Sequence, residues 1–157
     1  MALQPIKGAV NRKFRPSSYR KNDSLAKETI IAYLEANGHT ILDSEENYSF
    51  DIKSEKNGNI YYSEVEMKNQ WKGDWNTTWK EIRIPYRKHK LINKFEEVKA
   101  DNTFLNFYVI RGDCKQAWRI KDTLLTKESL GEAKGRYIRK GELFFHIPYT
   151  EAELIIL

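Results

Sequence analysis

Residues 48–68 read YSFDIKSEKNGNIYYSEVEMK, two strand-like segments on either side of an Asn57-Gly58 pair. An Asn-Gly pair in this setting is a strong signal for a β-hairpin, because both turn residues adopt positive φ. Charged and apolar residues alternate from Glu64 to Lys68. Since successive side chains of a strand point to opposite faces, the stretch predicts a hairpin with one charged face and one apolar face.

The register of this hairpin decides which charges meet. With Asn57 and Gly58 as the turn, paired positions sum to 115, so Asp51 lies opposite Glu64 and diagonal to Glu66. A register longer by two residues would place Asp51 opposite Glu66, whereas a slip of one residue would separate the acids. Like charges facing each other are unfavourable without a cation. The pattern therefore indicates either a cation site or a solvent-exposed charged face, which antiparallel sheets often have.

Two carboxylates with a nearby lysine suit a particular chemistry. Mg²⁺ prefers carboxylate and carbonyl oxygens and keeps several waters in its shell. Such an ion activates water and stabilises charge on a phosphate under attack. A lysine on the same face, here Lys68, can orient or deprotonate that water, or neutralise the developing anion.

Composition and length indicate one ordinary domain. The chain has 157 residues and one cysteine, so an intramolecular disulfide is excluded, which suits a reducing cytoplasm. Residues 1–22 carry six cations and no acid and predict a flexible basic arm, with a single domain over 23–157. The same composition also fits an organelle transit peptide. The longest apolar run, at 104–110, is too short to cross a bilayer, so no membrane partner is expected.

The charge distribution favours a nucleic-acid partner. The net charge is +5, yet residues 23–66 contain ten acids and three cations, a balance of −7 that leaves +12 elsewhere. Cations hold phosphates and clustered carboxylates hold a divalent metal, which is what a nuclease needs. A chance scatter of charges is the alternative.

The coarse order of elements is helix, strands, helix, strands. This order predicts an α+β or α/β/α layered domain with a mixed central sheet flanked by helices. Helices are expected at 25–37, 85–98 and 123–130, and strands at 39–43, 48–53, 59–68, 103–110, 116–120, 136–139 and 143–147. Thr150 and Glu153 have the spacing of a capping box, which would begin a helix before the apolar end of the chain.

Asp51 followed by Glu66-Met67-Lys68 resembles the site motif of the PD-(D/E)XK nuclease superfamily. The layout over about 24–70 is most similar to the archaeal-type Holliday-junction resolvases. The residue before Asp51 is Phe50 rather than proline, and the chain from Trp71 onward matches no resolvase signature.

The resemblance implies a restriction-endonuclease-like core and metal-dependent hydrolysis of DNA phosphodiester bonds, as in recombination and repair. It implies that Asp51 and Glu66 bind Mg²⁺, or Mn²⁺ as a substitute, with the Met67 carbonyl and no small-molecule cofactor. The resemblance also implies that Lys68 acts on the attacking water and that Glu28 is a further acidic ligand of the metal. A solvated helix stripe explains Glu28 equally well, since Glu35 shares its helix face, and Glu64 is a doubtful neighbour.

Basic residues suggest where DNA would bind. The segment 79–90 has five cations and one acid, and the basic arm adds three more candidates. We expect phosphate contacts from Arg83, Arg87, Lys88, Lys90, Arg12, Lys13 and Arg15. His89 is expected to be an ordinary surface residue. The tryptophans at 71, 75 and 79 either stack on bases or pack in the protein, and their helical spacing favours packing.

The sequence thus favours a small Mg²⁺-dependent deoxyribonuclease, acting as a homodimer so that two strands are cut. Two rivals are a non-catalytic nucleic-acid-binding protein with the same fold and an interaction protein that inhibits a DNA-acting enzyme. The apolar ending LIIL and the tryptophan-rich stretch are candidate dimer contacts, or else belong to the core of one subunit.

Overall fold

A computed structural model describes residues 24–45, 50–133 and 138–157. The predicted arm, with Arg12, Lys13 and Arg15, lies outside the described residues. The strand predicted over 136–139 lies half outside them, and residues 138 and 139 are not in a strand. In the described part of the chain, no helix is long and apolar enough to cross a membrane.

Two helices and nine strands are present in the described ranges. The helices are α1 (Ser24–Ala36) and α2 (His89–Val98). The strands are β1 (Thr40–Asp43), β2 (Ile52–Lys56), β3 (Asn59–Lys68), β4 (Glu81–Pro85), β5 (Thr103–Arg111), β6 (Gln116–Lys121), β7 (Leu130–Glu132), β8 (Leu143–Pro148) and β9 (Glu153–Ile156).

The strands form a large mixed sheet and a small antiparallel one. The six-stranded sheet has the order β1-β2-β3-β5-β6-β9, and the three-stranded sheet has the order β4-β8-β7. Among the described strands of the large sheet, β3 and β5 are parallel and the other neighbouring pairs are antiparallel. The fold is therefore α+β with a mixed central sheet, as the element order predicts.

Both faces of the large sheet are covered. On one face, α1 buries Ala26, Ile30 and Leu34 against a cluster that includes Ile52 and Val65. On the other face, α2 and the small sheet pack against β3, β5 and β6, in a cluster that includes Tyr62, Ile84, Phe95 and Phe107. Because side chains alternate along β3, Glu64, Glu66 and Lys68 share the face of Tyr62, away from α1.

The hairpin has the predicted turn and register. Asn57 and Gly58 adopt φ of 53° and 81°, the positive values that a two-residue hairpin turn requires. Lys56 pairs with Asn59 and Ile52 with Ser63, so partners sum to 115 as predicted. The first strand covers Ile52–Lys56. Of the predicted range 48–53, residues 48 and 49 lie outside the described residues, and 50 and 51 are not in the strand because β2 and β3 part beyond the Ile52–Ser63 pair.

Several other boundaries differ from the predictions. Glu81–Pro85 is strand β4, and a 3-10 turn at Tyr86–Lys88 delays the second helix to His89. Two 3-10 turns, Asp122–Leu124 and Lys127–Ser129, replace the helix predicted over 123–130. The predicted C-terminal helix is wrong: Tyr149–Glu151 is a 3-10 turn, and β9 follows because it pairs with β6.

Candidate active site

The site lies where β2 and β3 part. Beyond the Ile52–Ser63 pair, side chains replace the regular backbone ladder between the strands. The Val65 N–H donates to Asp51 Oδ2 at 2.8 Å, and the Asp51 N–H donates to Glu64 Oε2 at 3.3 Å. These bonds fix Asp51 beside the middle of β3, on the charged face of the hairpin.

Glu64 is buried and forms an ion pair with Lys88. Lys88 Nζ donates to Glu64 Oε1 at 2.8 Å, and Glu64 Oε2 accepts from Asp51, so both carboxylate oxygens have partners. Burial raises the pKa of Glu64 to about 7; the Lys88 ammonium opposes this shift and the Asp51 carboxylate adds to it. The buried Glu64 carboxylate thus holds the Asp51 backbone in place through a hydrogen bond.

Three acids lie close enough to Lys88 to favour its ammonium form. Burial disfavours its ammonium, but the carboxylates of Glu64, Glu66 and Asp51 outweigh burial and raise the pKa of Lys88. Glu64, Glu66 and Lys88 also line a small pocket, together with residues of β4 and β5. The acids on the charged face of the hairpin therefore stabilise the inward-pointing Lys88 ammonium.

Glu66 and Lys68 continue this face toward the end of β3. Glu66 Oε1 lies 4.0 Å from the Arg87 guanidinium and is partly exposed. Lys68 Nζ lies 5.4 Å from the centroid of the Trp79 ring, over the ring face. Burial and the nearby Arg83 guanidinium lower the pKa of Lys68, while the Glu66 carboxylate opposes this shift. The ammonium is therefore easier to deprotonate than that of an ordinary surface lysine.

The side chain and the backbone carbonyl of Met67 point in different directions. Its side chain packs against the cluster under α1. Backbone groups alternate along a strand, and the Val65 N–H points to Asp51. The Met67 carbonyl, two residues on, is therefore directed toward the same edge of β3 as Asp51.

Glu28 is not brought together with these residues. It is exposed on α1, and α1 covers the opposite face of the sheet through Ala26, Ile30 and Leu34. Its predicted role as a metal ligand stays a prediction that no described contact supports.

The predicted phosphate-binding residues divide into two groups. Arg83 on β4 and Lys90 on α2 are exposed, and Arg87 is partly exposed beside Glu66. Lys88 instead points inward to Glu64, because the 3-10 turn changes which side of the segment faces the sheet. His89 is not the expected surface residue: it is buried, its Nδ1 lies 2.9 Å from the Tyr86 carbonyl, and its ring stacks on Tyr86.

The carboxylate oxygens of Asp51 and Glu66 are the type of ligand that Mg²⁺ binds. Within 24–45, 50–133 and 138–157, no three His, Cys, Asp or Glu side chains form a metal-binding group. Mg²⁺ is often bound by only one or two carboxylates, with waters and substrate phosphate completing its shell. Asp51 and Glu66 can supply those two carboxylates, while Lys88 forms its ion pair with Glu64.

Sequence reasoning missed two contributors to this site. Lys88 is 24 residues from Glu64 and Trp79 is 11 from Lys68, so no short-range spacing links either pair. The only available signal was the basic and aromatic composition of 79–90, which indicates a surface as readily as a site.

No protein-family model matches the chain, and no curated protein matches it.

Proposed function

We propose that the protein is a Mg²⁺-dependent deoxyribonuclease that hydrolyses DNA phosphodiester bonds. The observation that carries this proposal is the hydrogen-bonded pair Asp51 and Glu64 where β2 and β3 part, with Glu66 and Lys68 following Glu64 on the same face of β3. The mixed sheet between α1 and α2 is also what the resemblance to PD-(D/E)XK nucleases implies, so we propose a restriction-endonuclease-like core.

The residues divide the work as follows. Asp51 and Glu66 would hold the metal with the Met67 carbonyl, and Glu64 would keep Asp51 in place. When bound, Mg²⁺ activates water and offsets charge on the phosphate. Lys68 orients the attacking water through its N–H groups or takes its proton at Nζ, which the lowered pKa favours. Arg83, Arg87 and Lys90 would contact flanking phosphates.

One assay tests this function. Purified protein is incubated with linear, single-stranded, flapped and four-way-junction DNA, with Mg²⁺ or Mn²⁺ and with a chelator. We expect metal-dependent cleavage that the chelator stops, with junction preference if the likeness to resolvases extends to substrate. Absence of metal-dependent cleavage on all four substrates would contradict the enzyme proposal.

A second candidate function has support from the ion pairs. Lys88–Glu64 and Arg87–Glu66 neutralise the acids within the protein, as a purely structural charge network would. A nucleic-acid-binding protein without catalysis would show the same contacts. Salt-dependent DNA binding with no cleavage in the assay above would favour this candidate.

The contribution of the basic surface can be measured separately. Arg83→Ala and Lys90→Ala should each weaken DNA binding, because each removes an exposed cation, and Arg83 lies close enough to Lys68 to lower its pKa. The slope of log affinity against log salt concentration should fall by about one per lost phosphate contact. Lys56→Ala, at the turn end of the hairpin, is the matched control. A flat salt response of the wild type, or an equal effect of the control, would contradict the assigned surface.

The expected homodimer stays a prediction. In the apolar ending, Ile155 is buried, whereas Leu154 and Ile156 are exposed on edge strand β9. These two side chains are the part of the ending available for a contact between subunits. Light scattering of Leu154→Lys beside the wild type would test this contact.

A further inference from the structure

The Lys68 ammonium has an aromatic partner. Its Nζ lies over the Trp79 ring, 5.4 Å from the centroid. A cation within about 6 Å of an indole face is attracted by the ring quadrupole, more strongly when water is excluded. Lys68 and Trp79 are both partly buried. The contact thus restrains the ammonium at the end of β3.

Trp79 is itself held by the core. The Trp75 indole N–H donates to the Trp79 carbonyl at 3.1 Å, and the two rings meet edge to face at 5.3 Å. Trp75 packs in turn against Trp71 and Trp118, with ring centroids 5.2 Å and 5.5 Å away. Trp71 is fully buried. A continuous set of ring contacts therefore joins the core to Lys68.

The segment that carries these tryptophans is tied to its surroundings. Residues 69–80 contain no helix or strand. The Gly112 N–H donates to the Trp71 carbonyl at 3.2 Å, and Arg111 Nη1 donates to the Gly73 carbonyl at 2.8 Å. The Tyr149 N–H donates to the Lys80 carbonyl at 3.2 Å. Tertiary bonds at three points thus set the position of the segment.

An aromatic partner differs from an acidic one in its consequences. Glu66, two residues before Lys68 on the same face, attracts the ammonium, and Arg83 repels it. If Lys68 paired with Glu66, its ammonium would compete with a bound cation for that carboxylate. A ring face attracts the ammonium without using that carboxylate, and it leaves N–H groups free to bind water.

We propose that Trp79 is a positioning residue that holds Lys68 Nζ beside the attacking water and keeps it from pairing with Glu66. This inference rests on the proposed nuclease function. It assigns a role in the reaction to the tryptophan-rich segment. Core packing alone explains the presence of Trp71 and Trp75, but it does not explain the contact between Trp79 and Lys68.

The test combines a structural and a kinetic measurement. In lysine-labelled protein, ¹H–¹³C NMR should show the Lys68 ε-methylene protons shifted upfield by the Trp79 ring, unlike those of exposed Lys72. Trp79→Leu should abolish the shift and lower the single-turnover cleavage rate about tenfold, with DNA affinity unchanged. Trp79→Phe keeps a ring face and should retain most of the rate. Trp79→Met serves if the leucine variant does not fold.

The outcomes separate the two claims. A wild type that cuts no DNA overturns the proposed nuclease and, with it, the role of Trp79 in the reaction. A wild type that cuts DNA, together with a folded Trp79→Leu or Trp79→Met variant of undiminished rate, overturns the positioning role alone. A wild type without the upfield shift overturns the contact itself. If Trp79→Phe cleaves DNA as slowly as Trp79→Leu, that result also contradicts the role of a ring face.

Discussion

Replacing Lys68 by alanine is expected to lower the single-turnover rate of Mg²⁺-dependent DNA cleavage by at least about 100-fold. The variant removes the one ammonium that lies on the charged face of β3 and beside Glu66 without an ion-pair contact among the described residues. DNA affinity should persist, because the exposed cations Arg83 and Lys90 are unchanged. Rapid-quench cleavage and equilibrium binding, measured on the same DNA, give the two quantities.

Two further variants locate this effect. Lys72→Ala removes an exposed lysine four residues away and should cut at the wild-type rate. Asp51→Asn keeps an oxygen acceptor for the Val65 N–H but removes a charge proposed to bind metal, so it should also lose cleavage. Normal activity in either Lys68→Ala or Asp51→Asn would show that the site is misplaced.

Lys88→Met is expected to destabilise the fold by about 3 kcal/mol at pH 8. Lys88 Nζ contacts Glu64 at 2.8 Å, and the methionine side chain keeps much of the volume while leaving a buried carboxylate unpaired. The pKa of Glu64, already raised to about 7, should rise further without the ammonium. A group with a raised folded-state pKa binds a proton more tightly in the folded protein, so its stabilising effect is present at low pH.

The stability cost of Lys88→Met should therefore grow with pH. Glu64 is protonated in the folded variant at pH 5.5 and becomes charged as the pH rises through its folded-state pKa, so the loss is smaller at pH 5.5 than at pH 8. Urea unfolding at both values measures the difference. The double variant Glu64→Gln/Lys88→Met should recover most of the loss and much of its pH dependence. An equal cost at both pH values would contradict an unpaired Glu64 as the cause.

The hairpin and its charged face were predictable because they depend on local rules. Asn57-Gly58 selects a two-residue turn, the turn fixes the sum of paired positions, and alternation then assigns Asp51, Glu64 and Glu66 to one face. The helix at Ser24–Ala36 and strands β5 and β6 follow from similarly local patterns.

The missed features depend on contacts that are distant in the sequence. β9 follows a capping-box pattern but becomes a strand because β6 offers it a partner. Pro85 suits the first turn of a helix, yet it ends β4, and a 3-10 turn then directs Lys88 inward. The carboxylates around Lys88 supply the negative charge that allows its ammonium to be buried. These carboxylates lie outside 79–90, so no spacing within that segment predicts the burial of Lys88.

The hairpin register also limits how this chain can change in length. The turn at Asn57-Gly58 is eight residues from Glu66, about 25 Å along an extended strand. An insertion of one residue in β2 would move Asp51 to the face under α1, whereas an insertion of two would return it to its own face, displaced along the strand. Natural length variation in β2 should therefore be confined to even steps, even though the turn itself is exposed and far from the acids.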